Sequence, residues 1–267
     1  MDATTEPSDS TPVTSVRSAI EQEELRTILS NLSQEISRPL VSLRAGFDLI
    51  LGSTSKPISS DQRGHVQAMA VLCDDLLRLT RSYMEYAGLL QGANPLSFGT
   101  FTVGALIREV DRQFSQDASA RGVTWESTVE GDEASVTTDA SRCQQIFGNI
   151  AANALKYTPA GGEVRLHAKH EGRTWLVTIS DNGPGIPNDS LSRVFEPFFR
   201  LTRDERAGIE GSGLGLAICR ELVDQLGGEI TIASNLGEGT RISVRLPSAG
   251  QVIARGAASS HPFVQRN

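Results

Sequence analysis

The chain has no long apolar run, no paired cysteines, no basic excess and few histidines. A bilayer span needs about 20 consecutive apolar residues, and no segment supplies them. The N-terminus also lacks the charged-then-apolar order of a signal peptide. A soluble, cytoplasmic protein without membrane insertion is expected, any membrane signal arriving through a partner or another segment. Cys73, Cys143 and Cys219 form no CxxC pair and no metal-like spacing, which points to reduced thiols. A net charge of -7 argues against a general nucleic-acid binder, which would carry a basic face. The four histidines are His65, His167, His170 and His261.

What is present divides the chain by composition. Residues 1–18 are rich in Ser, Thr, Pro and acids and are expected to be disordered, as is the tail, 248–267. Residues 19–92 carry two long amphipathic patterns. In the first, Leu25, Leu29, Leu32, Ile36, Leu40, Leu43, Phe47 and Ile50 recur at helical spacing, and Pro39 bends the helix. In the second, Val66, Met69, Cys73, Leu76, Thr80, Tyr83, Ala87 and Leu90 keep a seven-residue repeat. Gly52 ends the first helix, and Ser59 with Gln62 forms a capping box for the second. A lone hairpin buries too little, so dimerisation into a four-helix bundle is expected. Gln34 faces away from the apolar stripe.

A linker, 93–98, leads into residues 99–247, where helical and alternating patterns mix. Helices are expected from Phe101 to Gly122, after Asp139, and over "GLGLAICRELVDQLGG"; strands over "VTWEST", "ASVTTD", "EVRLHAKH", "TWLVTISD", "EITIAS" and "TRISVRLP". The order predicts an α+β domain, one sheet with helices on one face.

Four segments bear chemistry. In "NIAANALKY", Asn149 and Asn153 leave one helix face and Lys156 follows on nearly the same side. Two amides and an ammonium suit a magnesium ion, with Asn153 as ligand, and phosphate oxygens. In "DNGPGIP", a strand ends at Asp181 and runs into Gly183 and Gly185, which let backbone approach a flat ligand. In "EGSGLGLA", Gly211, Gly213 and Gly215 precede a helix N-terminus, a phosphate cradle. "RLTRDERAGIE" before it reads as a mobile lid, with Phe195, Phe198 and Phe199 of "FEPFFR" as its hinge or anchor. In "GEGT", the hydroxyl of Thr240 faces the same pocket.

In their order and spacing these segments resemble the Bergerat-fold ATP-binding domain of sensor histidine kinases over roughly residues 97–247. "NIAANALKYTP" is similar to the N box, "DNGPGIP" and "GSGLGLA" to the two glycine boxes, "FEPFFR" to the F box. The resemblance implies a helical hairpin followed by an α/β sandwich that binds ATP with Mg2+. It implies that Asn153 coordinates the metal, Asp181 reads the adenine amine and Gly211, Gly213, Leu214, Gly215 and Leu216 close over the phosphates. Tyr157, Ile186 and Arg200 complete the expected set. Asn149 stands where related gyrase-type ATPases carry a water-activating glutamate; an amide is a poor general base, so fast hydrolysis is not expected.

The hairpin then resembles the family's dimerisation and phosphoacceptor domain, whose usual pattern is Ser-His-Glu-Leu-Arg-Thr-Pro-Leu. This sequence reads "SQEISRPL". Ser33, Glu35, Pro39 and Leu40 match, whereas Gln34 stands for the histidine, Ser37 for the arginine and Arg38 for the threonine. The lone pair of an amide nitrogen is delocalised, so Gln34 is not a nucleophile. Arg38 offers no acceptor to orient water for dephosphorylating a partner. The expectation is a homodimer, or a heterodimer with a related kinase, that binds Mg-ATP and signals by conformation, with a response-regulator receiver domain as a further partner. The alternatives are a kinase using another acceptor or partner, an engineered His-to-Gln variant of an active kinase, and a serine-kinase-type anti-sigma regulator, which would not need the hairpin.

Overall fold

The computed structural model describes residues 40–52, 59–91, 95–202, 204 and 211–249. Gln34, Glu35 and the segment around them lie outside the described residues. The chain forms two units, Met1–Ala93 and Asn94–Asn267.

The first unit contains helix α1, residues 40–52, and helix α2, Ser60–Gln91. The capping box is present. Ser59 N–H donates to Gln62 Oε1 at 3.0 Å, and Gln62 N–H donates back to Ser59 Oγ at 3.2 Å. Phe47 packs with Ala70, Cys73 and Leu77, flanked by Leu40 and Val66. Across the hairpin, Arg44 Nε donates to both oxygens of Asp74 at 3.0 Å. The expected stripe on α2 divides in two. Cys73, Thr80 and Ala87 are buried, with Ala70, Leu77 and Leu89 also on the inside, whereas Met69 and Leu76 are exposed. Thr80 tolerates burial because its hydroxyl donates to Leu76 O at 2.7 Å.

The second unit runs β1 (Gly99–Thr102), α3 (Val103–Ala120), β2 (Thr124–Glu130), β3 (Ser135–Thr138), α4 (Ala140–Tyr157), β4 (Glu163–His170), β5 (Thr174–Asp181), a 3-10 turn (Asn188–Ser190), α5 (Gly215–Gln225), β6 (Glu229–Asn235) and β7 (Gly239–Pro247). Five strands form one sheet in the order β2-β4-β5-β7-β6. β2 is parallel to β4, through the crossover that contains α4, and the other pairs are antiparallel.

The helix expected from Phe101 begins instead at Val103. Phe101 and Thr102 belong to β1, which pairs with β3 in a separate two-stranded sheet. Thr102 sets the boundary as N-cap, its hydroxyl accepting Ala105 N–H at 3.1 Å. Asp139 caps α4 the same way, accepting Arg142 N–H at 3.1 Å.

Each strand sorts its side chains by alternation. Val164, Leu166 and Ala168 of β4, Trp175, Val177 and Ile179 of β5, and Ile242, Val244 and Leu246 of β7 are buried. Helices α3, α4 and α5 contribute Ile107, Phe147, Ile150, Ile218 and Leu222 to the same core. Phe147 meets Trp175 edge-on at 5.7 Å between centroids. The opposite face carries Arg165, His167 and Lys169. His167 Nδ1 lies 3.0 Å from Thr128 Oγ1, and His170 Nε2 lies 3.1 Å from Ser248 Oγ.

Candidate functional site

At one end of the sheet three side chains form a transverse row. Asp181 of β5 is opposite Thr240 of β7, and Thr240 is opposite Ser234 of β6. Directly paired residues share a sheet face, and this row continues the face on which Ile179, Ile242 and Ile232 lie two residues away, the side packed by helices. Asp181 Oδ1 accepts Gly183 N–H at 2.9 Å, and the carboxylate also accepts Thr240 N–H. Burial lifts the pKa of Asp181 above the usual carboxylate range, and these two N–H donors pull it back in part.

The "DNGPGIP" turn is clamped onto the β6–β7 turn. Gly237 N–H donates to Pro184 O at 2.9 Å, and Ile186 N–H donates to Ser234 Oγ at 2.8 Å. Glycine is required at two contacts. Gly185 has φ +65° and a Cβ there would stand 1.9 Å from Asn235 O; Gly239 has φ +108° and its Cβ would stand 1.9 Å from Asp181 O.

The end of α4 faces the second glycine segment. Asn149, Asn153, Lys156 and Tyr157 are all half-buried. Asn149 Nδ2 lies 3.5 Å from Gly215 O, and Asn153 Nδ2 lies 3.9 Å from the position a Cβ on Gly215 would take. Lys156 Nζ lies 2.8 Å from the corresponding position on Gly211, and 4.9 Å from the Tyr157 ring centroid. Gly183 closes the other side, its Cβ position 3.0 Å from Tyr157 O. The structure therefore brings together Asn149, Asn153, Lys156 and Tyr157 with Gly211 and Gly215, and Asp181, Gly183, Gly185 and Ile186 with Thr240.

Leu214 and Leu216 differ. Leu214 is completely buried and its N–H donates to Ser212 Oγ at 3.2 Å, so it anchors the loop; Leu216 is half-buried. Phe198 N–H donates to Gly213 O at 3.0 Å, with Phe198 itself at φ +64°. Phe195 is buried beneath the guanidinium of Arg220, 5.9 Å from the ring centroid. Arg200 is half-buried, and of the expected lid residues 203 and 205–210 lie outside the described residues.

Ser234 was not marked by its residue type. The tight "NLGEG" turn held the signal. Pairing Asn235 with Gly239 places Ser234 beside Thr240.

The chemistry has two poles. Around Asp181 the site offers a buried carboxylate to an amine. Around Lys156 it offers an ammonium, amide side chains and the N-terminus of α5, a setting for anionic oxygens. Among the described residues, no group of three or more His, Cys, Asp or Glu side chains is placed to hold a metal. No described helix is long and apolar enough to cross a membrane.

Comparison with known proteins agrees with this geometry. Residues 138–250 match the family of histidine kinase-, DNA gyrase B- and HSP90-like ATPases. An uncharacterised sensor-like histidine kinase of Rhizobium meliloti is 31% identical over 221 residues, covering 82% of this chain and 42% of that protein. The signal transduction histidine-protein kinase BaeS of Escherichia coli is 30% identical over 230 residues, covering 85% of this chain and 47% of its own length. The chain thus spans less than half of these relatives. Among solved structures, full-length ShkA in complex with AMPPNP superposes with a TM-score of 0.71 at 29% identity, over 85% of this chain and 47% of that one. The nucleotide-free catalytic domain of the histidine kinase ThkA gives 0.52 at 26% identity, over 58% of this chain and 99% of that one. With a glycine-lined carboxylate at one pole, an amide- and lysine-bearing helix at the other, and these relatives, the second unit is an ATPase domain of the Bergerat fold, and the chain as a whole is similar to the core of sensor histidine kinases.

Proposed function

We propose that the protein binds Mg-ATP and signals through nucleotide-dependent conformation and partner binding, without accepting phosphate at position 34. The pairing of Asp181 with Lys156 at opposite poles of one site is the observation that carries the ATP part. A purine amine and a triphosphate need those two chemistries together. The neighbour bound to AMPPNP supports it.

Mg2+ fits the residues present. This ion keeps several waters and takes phosphate oxygens, asking little of the protein. Asn153 supplies one oxygen, and no acidic cage is required. Asn149 lacks the basicity to activate water, so ATP is held more than hydrolysed.

The phosphotransfer part rests on Gln34, whose amide nitrogen has no available lone pair. His167 and His170, both on β4, do not replace it, being partnered by Thr128 and Ser248 of the second unit. The hairpin is then a dimerisation and docking element, for a second copy or a related kinase, and for a response-regulator receiver domain. Its outer stripe supports this. Met69, Leu72, Leu76 and Leu79 follow at steps of three and four and stay exposed in the single chain, as do Leu43 and Ile50 on α1.

Two measurements test the proposal. A fluorescent ATP analogue should bind in the presence of magnesium and lose affinity in Asn153→Ala; unchanged binding refutes the site. Label from the γ-phosphate should not transfer to the chain, with or without a receiver domain. Acid-labile labelling would overturn silence and direct attention to His65, an exposed residue of α2.

A further inference from the structure

The hydroxyl of Ser234 sits at a junction of three polar groups. It receives Ile186 N–H at 2.8 Å, lies 2.6 Å from Gly239 O and lies 2.9 Å from Thr240 Oγ1. A serine hydroxyl has one proton and two lone pairs. Gly239 O only accepts, so the Ser234 proton goes there. Ile186 N–H only donates, so it occupies one lone pair. The remaining lone pair faces Thr240, and Thr240 must therefore donate. Its single proton is committed to Ser234, and it turns only lone pairs toward the rest of the site.

Thr240 is also the direct cross-strand neighbour of Asp181, on the same face. The Asp181 carboxylate has about four lone-pair sites, and the N–H groups of Gly183 and Thr240 use two. This end of the site is thus an array of acceptors, fixed in polarity by a residue two strands from Asp181.

The geometry points to Ser234 as a specificity-determining positioning residue: by taking the Thr240 proton it keeps this end of the site acceptor-only, so that it takes a 6-amino purine nucleotide and rejects a 6-oxo one. An exocyclic amine supplies two N–H donors, to Asp181 and to Thr240, directly or through one water. A 6-oxo group presents an acceptor to acceptors, and Thr240 cannot turn its hydroxyl to accommodate it. Ser234 itself touches neither nucleotide. The inference rests on the ATP reading above and deepens it.

The test is the ratio of dissociation constants for inosine triphosphate and ATP, measured with magnesium on the full chain. The intact protein should prefer ATP. In Ser234→Ala the Thr240 proton is released and can donate to the 6-oxo group, and the ratio should fall about tenfold, the weight of one hydrogen bond in a recognition site. Ser234→Thr keeps the hydroxyl and should keep the ratio. A merely structural role for Ser234 would weaken both nucleotides together and leave the ratio unchanged, which would overturn the inference. Thr240→Val reads the same proton from its other end and keeps the test decisive should Ser234→Ala fail to fold: its ratio must fall as well, and an unchanged ratio refutes the mechanism. Failure of the intact protein to bind either nucleotide would instead refute the ATP reading itself.

Discussion

A methyl group placed on Gly211 would stand 2.8 Å from the ammonium nitrogen of Lys156. The second glycine segment and the end of α4 thus meet at a charge, with room for no side chain between them.

That contact predicts two separable effects. Gly211→Ala displaces the far end of a flexible lysine and also puts a Cβ on backbone at φ +159°, so stability should fall by about 1–2 kcal/mol. Nucleotide affinity should fall beyond that, because the ammonium is pushed from its place. Lys156→Met should lose more, about tenfold or beyond, since the charge itself is gone. Titration calorimetry with AMPPNP, beside thermal unfolding of the same samples, separates the two.

Asp181→Asn should cost binding and not folding. The carboxylate's pKa is raised mainly by burial, so the folded protein binds this proton more tightly than the unfolded chain does. By linkage, stability from this group is present at low pH and is lost as pH rises through the folded pKa. An amide carries no charge to desolvate. The variant should therefore match or exceed the parent's unfolding midpoint at pH 7, while its ATP affinity drops; both differences should shrink as pH falls below the carboxylate range and Asp181 of the parent becomes neutral. A lower midpoint at pH 7 would contradict this account.

Gly185→Ala joins a backbone outlier to a main-chain collision. At φ +65°, with Asn235 O 1.9 Å from the new Cβ, neither partner is a flexible side chain. The loss should be about 2–4 kcal/mol, read by denaturant unfolding. Gly161, also at positive φ but with open space around its Cβ position, should lose only about 1 kcal/mol on the same change.

On the proposed dimer, Leu76→Asp should favour the monomer without unfolding the chain. Leu76 is 42% exposed in the single chain, so a charge there is solvated in the monomer and buried in an assembled bundle. Light scattering should show half the parent's mass, with helical circular dichroism from the second unit retained. An unchanged mass would remove the outer stripe from the interface.

How much of this was legible depended on distance along the chain. Ser59 with Gln62, and Asp139 with Arg142, lie three residues apart, and such local signals translated directly into caps. The β4–β5 hairpin was equally plain, because Val164, Leu166 and Ala168 alternate against Trp175, Val177 and Ile179. β1 was not, since its four residues are too few to show alternation and Phe101 fitted the following helix as well. The parallel pairing of β2 with β4 has no local cue; it depends on where α4 carries the chain. In the hairpin, a seven-residue repeat fixed the apolar surface without saying which part faces its own neighbour, and so Ala70 and Leu77 were passed over beside Met69 and Leu76. In the site, Asn153, Lys156 and Asp181 announced themselves by residue type and motif, whereas Ser234 became visible only through register.

The strand order has a consequence for synthesis. β7 lies between β5 and β6, yet it is made after both. While the nascent chain lengthens past β6, the outer edge of β5 has no partner, and Asp181 has neither Thr240 nor the Ser234 junction beside it. On the proposed ATP reading, nucleotide can reward only a chain completed through about Pro247. A stop codon inside β7 should detach β6 from the sheet and dismantle the Asp181–Thr240–Ser234 row, leaving β2, β4 and β5 paired.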